Sequence, residues 1–247
     1  MTDKLVIYER KGKTAFIMLN RPSKHNAMNL EMSRQLDKAW WDFQNDENLW
    51  TAVIFGSGNS FCSGIDVKEL GNEFVPSCPG ISVNVDKPII AAVSGYCLGQ
   101  GFLITMYSDI RIASYDAKFG YPEGKAGSTA GGASSIIRHI PSAIAMEILL
   151  TGNYISASRA YEIGYINLLV QSEQLLHEAE RIAENINERA PLVNRALKKM
   201  VARSYYPTPR EQAASYMSII KEPQNSEDAI EGRRAFLEKR KPDFKGR

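Results

Sequence analysis

Pro88-Ile-Ile-Ala-Ala-Val-Ser-Gly-Tyr-Cys-Leu-Gly-Gln-Gly101, with Phe119-Gly-Tyr-Pro-Glu123 downstream, decides the reading of this 247-residue chain. Ile89 to Val93 reads as a buried strand, and Gly95, Gly99 and Gly101 read as the turn that ends it and opens a helix. A glycine turn placed there aims backbone N–H groups at one point, which suits an oxygen gaining negative charge. Glu123 supplies a carboxylate for proton chemistry. A second turn, Phe61-Cys-Ser-Gly-Ile-Asp66, also follows an apolar strand, with Asp66 opening a short helix-like stretch. Two such turns on one sheet edge would supply one donor each; taken singly, each is the ordinary bend between strand and helix.

Outward from this stretch the pattern is α/β. Leu5–Arg10 and Thr14–Leu19 read as strands joined by a hairpin at Lys11-Gly12-Lys13, and Asn20-Arg21-Pro22 ends the second. Asn29 is a candidate cap for a helix whose Met32, Leu36, Ala39, Trp40 and Phe43 recur at the helical period. Thr51–Phe55 is a buried-type strand. Right-handed crossovers in such an alternation place the loops of successive strands along one edge. From about Ala133 the chain turns helical: Ser142–Leu150, Ser156–Ile163, Ser172–Arg189, Pro191–Ala202, Arg210–Lys221 and Ser226–Arg240. These trailing helices lack a closed core of their own, which predicts packing on a neighbouring subunit. No repeat or linker marks a boundary between independent domains.

Lys and Arg number 30 against 28 Asp and Glu, a formal charge of +2, so no field argues for a nucleic-acid partner. The N-terminus alternates like a strand and lacks the apolar core of a secretion signal, and no run reaches the roughly 18 apolar residues of a membrane span. A soluble, cytoplasmic protein is expected. Cys62, Cys78 and Cys97 have no CxxC spacing, and His25, His139 and His177 no HxxH pattern, so neither a disulfide framework nor a metal site is expected. Cys62 and Cys97 read as packing thiols. A serine-hydrolase elbow and a nucleotide-binding glycine loop are both missing.

Several segments occur in one order over nearly the whole length: Asn20-Arg21-Pro22 with Asn26-Ala27; Phe61-x-Ser-Gly-x-Asp66; Lys87-Pro-Ile-Ile-Ala-Ala-Val-Ser-Gly-Tyr96; Asp109 with Ile112-Ala113; Phe119-Gly-x-Pro-Glu123; and Leu150-Thr-Gly152 with Ala157, Ala160 and Gly164. Together they resemble the crotonase (enoyl-CoA hydratase/isomerase) superfamily. The resemblance implies a ββα spiral core over residues 1–190, carrying the CoA and acyl site, and a helical trimerisation region over 191–247 that is not an independent domain. It further implies acyl-CoA thioester substrates and self-association as a homotrimer or dimer of trimers. No cofactor is expected beyond the coenzyme A of the substrate.

By position, the resemblance makes the N–H groups of Ile65 and Gln100 the donors to the thioester oxygen, and Ile65, Asp66, Val67 and Lys68, with Gln100, the substrate and CoA contacts. Glutamine at 100 departs from a usual glycine, but a main-chain donor needs only the right backbone path. Family hydratases hold water with two glutamates, and the matching positions here are Leu103 and Glu123. One carboxylate can shuttle a proton between carbons, as isomerases with a leucine and a glutamate do, or serve a hydratase whose water another group holds. In an apolar pocket beside Leu103 and Phe102, Glu123 would have a pKa raised toward neutrality. A CoA-ester C–C lyase and a non-catalytic CoA- or RNA-binding paralogue are the alternatives.

Gly127-Ser-Thr-Ala-Gly-Gly132 carries no aspartate, which weighs against dienoyl isomerisation and dehalogenation. Ser128 and Thr129 read as helix caps or substrate contacts. Glu69 to Asp86 is short for a lid and predicts a roomy pocket. Arg195, Lys198, Lys199 and Arg203, and the tail from Lys239 to Arg247, read as solvated surface or as contacts to CoA phosphates.

Overall fold

The computed structural model describes residues 4–69, 77–128, 132–204, 221 and 225–246. Its strands alternate between two sheets, and that alternation builds the spiral. Strands β1 (Val6–Lys11), β2 (Thr14–Leu19), β3 (Thr51–Gly56), β5 (Ile89–Val93), β7 (Ile110–Ser114) and β10 (Leu168–Val170) form a six-stranded sheet in that order. Strands β4 (Ser60–Cys62), β6 (Tyr96–Leu98), β8 (Lys118–Gly120) and β9 (Tyr154–Ser156) form a second, four-stranded sheet. The hairpin is as predicted: Lys11 pairs with Thr14 across a two-residue loop in which Gly12 takes φ 56°. Beyond β2 every neighbour in the large sheet is parallel; the chain crosses from β2 to β3 through a helix and makes each later return through the small sheet.

Helix α1 (Leu30–Asn45) starts where Asn29 Oδ1 accepts from Met32 N at 2.9 Å, and it buries Met32, Leu36, Ala39, Trp40 and Phe43 against the sheet. The other helices are α2 (Gln100–Met106), α3 (Ser142–Thr151), α4 (Ala157–Glu162), α5 (Leu175–Asn187), α6 (Pro191–Ser204) and α7 (Glu227–Glu238). Helix α5 lays Leu175, Ala179 and Ala183 on Val53, Ile90, Ala92 and Ile112, covering the face of the large sheet opposite the main core. The parallel strands are therefore buried on both sides, which explains their continuous rather than alternating apolar pattern. The segment predicted as a helix over Arg210–Lys221 lies, except for Lys221, outside the described residues.

Helix α6 is tied down through its basic face. Arg195 donates to both Asp86 oxygens at 2.9 and 3.1 Å, Lys199 pairs with the same carboxylate at 2.6 Å, and Lys198 reaches Asp109 at 2.7 Å. Burial opposes ionisation of Asp86, but Arg195, Lys199 and Gln44 outweigh it and hold its carboxyl below the ordinary range. These three cations thus fasten α6 to the chain segments before β5 and β7, which accounts for them without a CoA phosphate. Two cations of the tail are paired as well: Arg240 with Glu231 and Glu238, and Lys245 with Asp243.

Candidate active site

Three consecutive parallel strands of the small sheet end at the three segments singled out in the sequence. Strand β4 runs into Ser63-Gly64-Ile65, β6 into Gly99-Gln100, and β8 into Tyr121-Pro122-Glu123, with β6 paired to both neighbours. Adjacent strands lie about 4.8 Å apart, so their C-terminal ends deliver all three segments to one spot.

The Ile65 donor is left free by its pairing. Met28 forms an isolated parallel bridge with Ile65, in which Met28 N donates to Gly64 O at 2.8 Å and Asp66 N donates to Met28 O at 2.9 Å. In that geometry the N–H and C=O of Ile65 itself point away from Met28. Gln100 is the first residue of α2, one of the positions whose N–H has no partner within a helix. Neither N–H donates to an acceptor among the described residues.

Gly64 and Gly99 are neighbours across the two turns. A methyl added at Gly99 would lie 3.6 Å from Gly64 Cα, and one added at Gly64 would lie 3.4 Å from Leu98 O. Both have positive φ, 106° and 50°, which only glycine adopts readily, so the backbone angles favour glycine at both turns. The peptide groups that follow them carry the Ile65 and Gln100 N–H groups.

The same methyl at Gly99 would collide with Glu123 Oε1 and stand 3.2 Å from Glu123 Cδ. The carboxylate therefore sits directly over the turn that presents the Gln100 donor. Glu123 is half-buried, and its Oε2 is closed off from solvent with no hydrogen-bond partner among the described residues. Burial raises its pKa to about 8, a contact with its own backbone pulling slightly the other way. Tyr121 beside it is pushed well above the ordinary phenol value, by burial first and then by the Glu123 charge, and its hydroxyl accepts from Gly132 N at 3.2 Å.

Leu103 points from α2 against Gly132 and is 2% exposed, so the position that carries a glutamate in family hydratases is a packed apolar contact. Phe102 packs at a tilt against Phe119 and edge-to-face against Tyr165, at centroid distances of 6.0 and 5.3 Å. Cys62 and Cys97 are buried, and burial pushes the Cys62 thiol up to about 12 and Cys97 well above the ordinary value, so both behave as packing groups.

The remaining sequence-predicted contacts divide. Asp66 does not open a helix: Val67 to Glu69 form a turn, Lys68 N donates to Asp66 Oδ1 at 3.1 Å, and Arg21 Nη1 donates to Asp66 Oδ2 at 2.7 Å. The Asp66 carboxylate is thus engaged in holding the turn. Val67 is half-buried and Lys68 exposed beside Ile65. Of the Gly127–Gly132 segment, Ser128 N donates to Glu123 O at 2.9 Å, whereas Thr129 lies outside the described residues, as do residues 70–76 of the short lid.

Two organisers carried no chemical signal in the sequence. Asn26, fully buried with φ 54°, donates to Ser57 O and Ser60 O at 2.9 and 2.7 Å and accepts from Arg21 N at 2.8 Å. It staples the 20–27 loop to the start of β4, and asparagine tolerates the left-handed backbone that this requires. The other is α7. A methyl at Gly232 would fall 2.7 Å from Ala126 C and Gly127 N, and one at Gly127 would fall 2.7 Å from Asp228 O. The helix thus backs the 3₁₀ turn Pro122–Ala126 that carries Glu123. Gly232→Ala is expected to lower kcat about tenfold with a smaller change in KM, and to cost about 1–3 kcal/mol of stability, as overpacking usually does. Steady-state kinetics and a melting curve check both.

The chain matches the family model for Enoyl-CoA hydratase/isomerase over residues 9–247. It is 34% identical to the enoyl-CoA hydratase EchA19 of Mycobacterium tuberculosis over 98% of this chain and 96% of that protein. It is 35% identical to the (E)-benzylidenesuccinyl-CoA hydratase of Thauera aromatica over 98% and 99%. A solved structure of a carnitinyl-CoA hydratase from Mycobacterium avium superimposes with a TM-score of 0.90 at 34% identity, covering 100% of both chains. With its alternating sheets, its paired glycine turns and Glu123 above them, this chain belongs to the enoyl-CoA hydratase/isomerase family.

Proposed function

We propose that the protein acts on an acyl-CoA thioester, holding the enolate oxygen between the Ile65 and Gln100 N–H groups while Glu123 alone moves the proton. The observation that carries this is the Glu123 carboxylate lying over Gly99, with Gly64 of the other turn beside it. Donor and base then converge on one reacting centre. The ionised carboxylate takes the proton from the carbon next to the thioester, the electron pair moves onto the carbonyl oxygen, and two preorganised donors meet the charge where it develops. Each such donor is typically worth about 3–4 kcal/mol of barrier. Returning the proton two carbons along shifts the double bond, and this reaction needs no group beyond Glu123.

Water addition or loss is the second reading, favoured by the hydratase names of the relatives. It uses the same enolate but needs a second group to hold the water, since Leu103 offers none. Running a panel of short-chain, long-chain and cyclic enoyl-CoAs in D₂O separates the readings. Double-bond migration with deuterium uptake and no added water supports isomerisation; added water supports hydration; no exchange on any substrate sinks both.

The pH profile follows from the raised pKa. Proton abstraction needs the carboxylate, so kcat/KM for Cα exchange is expected to rise through pH 6–7 and level off above about 8. A profile already flat at pH 6 would mean that the Glu123 carboxyl ionises well below 8. The exposed Leu192, Val193, Leu197, Met200 and Val201 on α6 fit self-association into the trimer proposed for the chain. Sedimentation at micromolar concentration tests it.

A further inference from the structure

Helix α7 backs the Glu123 turn, yet its own apolar burial is slight. Its buried residues are Ala229, Glu231, Gly232 and Ala235, while Ile230, Phe236 and Leu237 stay exposed. A helix of 12 residues is marginal in water by itself, and two alanines and a glycine bury too little apolar surface to seat it. The charged residue of the buried face, Glu231, is gripped from beyond the helix. Lys239 ends α7 with φ 55° and turns the chain back. Arg240 then donates from Nη1 to Glu231 Oε1 at 2.5 Å and from Nη2 to Oε2 at 3.0 Å, and Asp243 N donates to Oε1 at 3.0 Å. Arg240 first, then Asp243 N and Arg234, hold the Glu231 carboxyl well below its ordinary range. Further along, Lys245 N and Gly246 N donate to the two Asp228 oxygens at 2.6 and 2.8 Å. Both gripped carboxylates adjoin the contact with the turn: Gly232 follows Glu231 and meets Ala126 and Gly127, and Asp228 O lies against Gly127.

We propose that Arg240 is a positioning residue for Glu123: by clasping Glu231 it seats Gly232 on the turn that carries the carboxylate. The inference deepens the proton-transfer reading of the site and rests on it. Without the clasp, α7 lifts from the turn Pro122–Ala126, and the carboxylate gains both freedom and water. The influence passes through packing rather than charge, because burial raises the Glu123 pKa and the charges of Lys125, Asp228 and Glu231 do not contribute to the shift. Tyr121 and Tyr154, the phenols that sense the Glu123 charge, are pushed above their ordinary value and stay neutral below pH 9.

The test compares wild type, Arg240→Met, Arg240→Lys and Arg234→Met in the full chain. Arg234 also donates to Glu231, but from within α7, so it cannot tie the helix to the tail. Arg240→Met is expected to lower kcat for Cα exchange about tenfold with little change in KM, and to move the midpoint of the pH profile down by about one unit as water reaches Glu123. Arg240→Lys should recover part of both, and Arg234→Met should match wild type. Wild-type kinetics and profile in Arg240→Met, or an equal loss in Arg234→Met, overturn the proposal. Should Arg240→Met not fold, Glu231→Gln, which keeps the shape and removes the charge, carries the same comparison. A second readout needs no turnover: the difference in melting temperature at pH 9 between each form and its Glu123→Gln counterpart reports burial of the carboxylate, and it should narrow in Arg240→Met. An unchanged difference overturns the positioning role whether or not the protein turns over. Failure of the proton-transfer reading looks different: no Cα exchange in wild type on any enoyl-CoA.

Discussion

Replacing Glu123 by glutamine is expected to lower Cα proton exchange by about 10³-fold, near the middle of the range that a positioned general base contributes. The substitution keeps the shape that fits over Gly99 and removes only the titrating proton. Deuterium incorporation into an enoyl-CoA, followed by mass spectrometry, measures it, and exchange at the wild-type rate would end the proton-transfer reading. The same variant carries a stability signature. Burial raises the folded-state pKa of Glu123 to about 8, above the ordinary carboxyl value of 4.5. Between those values the native state binds more protons than the unfolded state, so this group's contribution is complete below about 4.5 and is lost as pH climbs through 8. Glu123→Gln cannot ionise, so its melting temperature should exceed that of wild type at pH 9 and converge with it near pH 5. A constant gap across that window would mean that the carboxylate is not buried in solution.

Gly99→Ala is expected to be nearly as damaging, through geometry rather than chemistry. The new methyl would collide with Glu123 Oε1 and sit 3.2 Å from Cδ, in a backbone with φ 50° and ψ −113°. The carboxylate must move or the turn must open, and either change separates base from donor. A misplacement of about 1 Å can cost about 10²-fold in rate, and the strained backbone adds about 1–3 kcal/mol of destabilisation. Gly12→Ala supplies the control, because Gly12 has φ 56° but nothing within 4 Å of an added methyl. It should lose about 1 kcal/mol and no activity. If Gly99→Ala behaved like Gly12→Ala in kinetics, the contact between turn and carboxylate would be unimportant to catalysis.

Much of the fold was legible because its signals are local. The Asn29 cap, the Met32-to-Phe43 stripe, the apolar runs of β3 and β5 and the Gly12 hairpin each follow from a few adjacent residues. Strands β4, β6 and β8 were not separated out, because three residues are too short for a hydrophobic period to show. Asp66 was legible as a conspicuous carboxylate but not as the partner of Arg21, 45 residues away. The cations of α6, open between solvated surface and CoA phosphate in the sequence, could not be paired there for a related reason: Asp86 and Asp109 come beneath them only in the fold.

The sequence by itself determined the two glycine turns and the lone glutamate, because local backbone preference and covalent chemistry are written residue by residue; the donor after each turn and the leucine in place of a second carboxylate came from its resemblance to the family, and all of these make up the proposed site. Only the tertiary structure decided where they meet, because parallel pairing of β4, β6 and β8 joins segments far apart in the chain at one sheet end. It also decided the proton affinity of Glu123 and the isolation of the Gln100 amide oxygen. Both depend on the loss of water around a polar group, which is set by packing from distant segments.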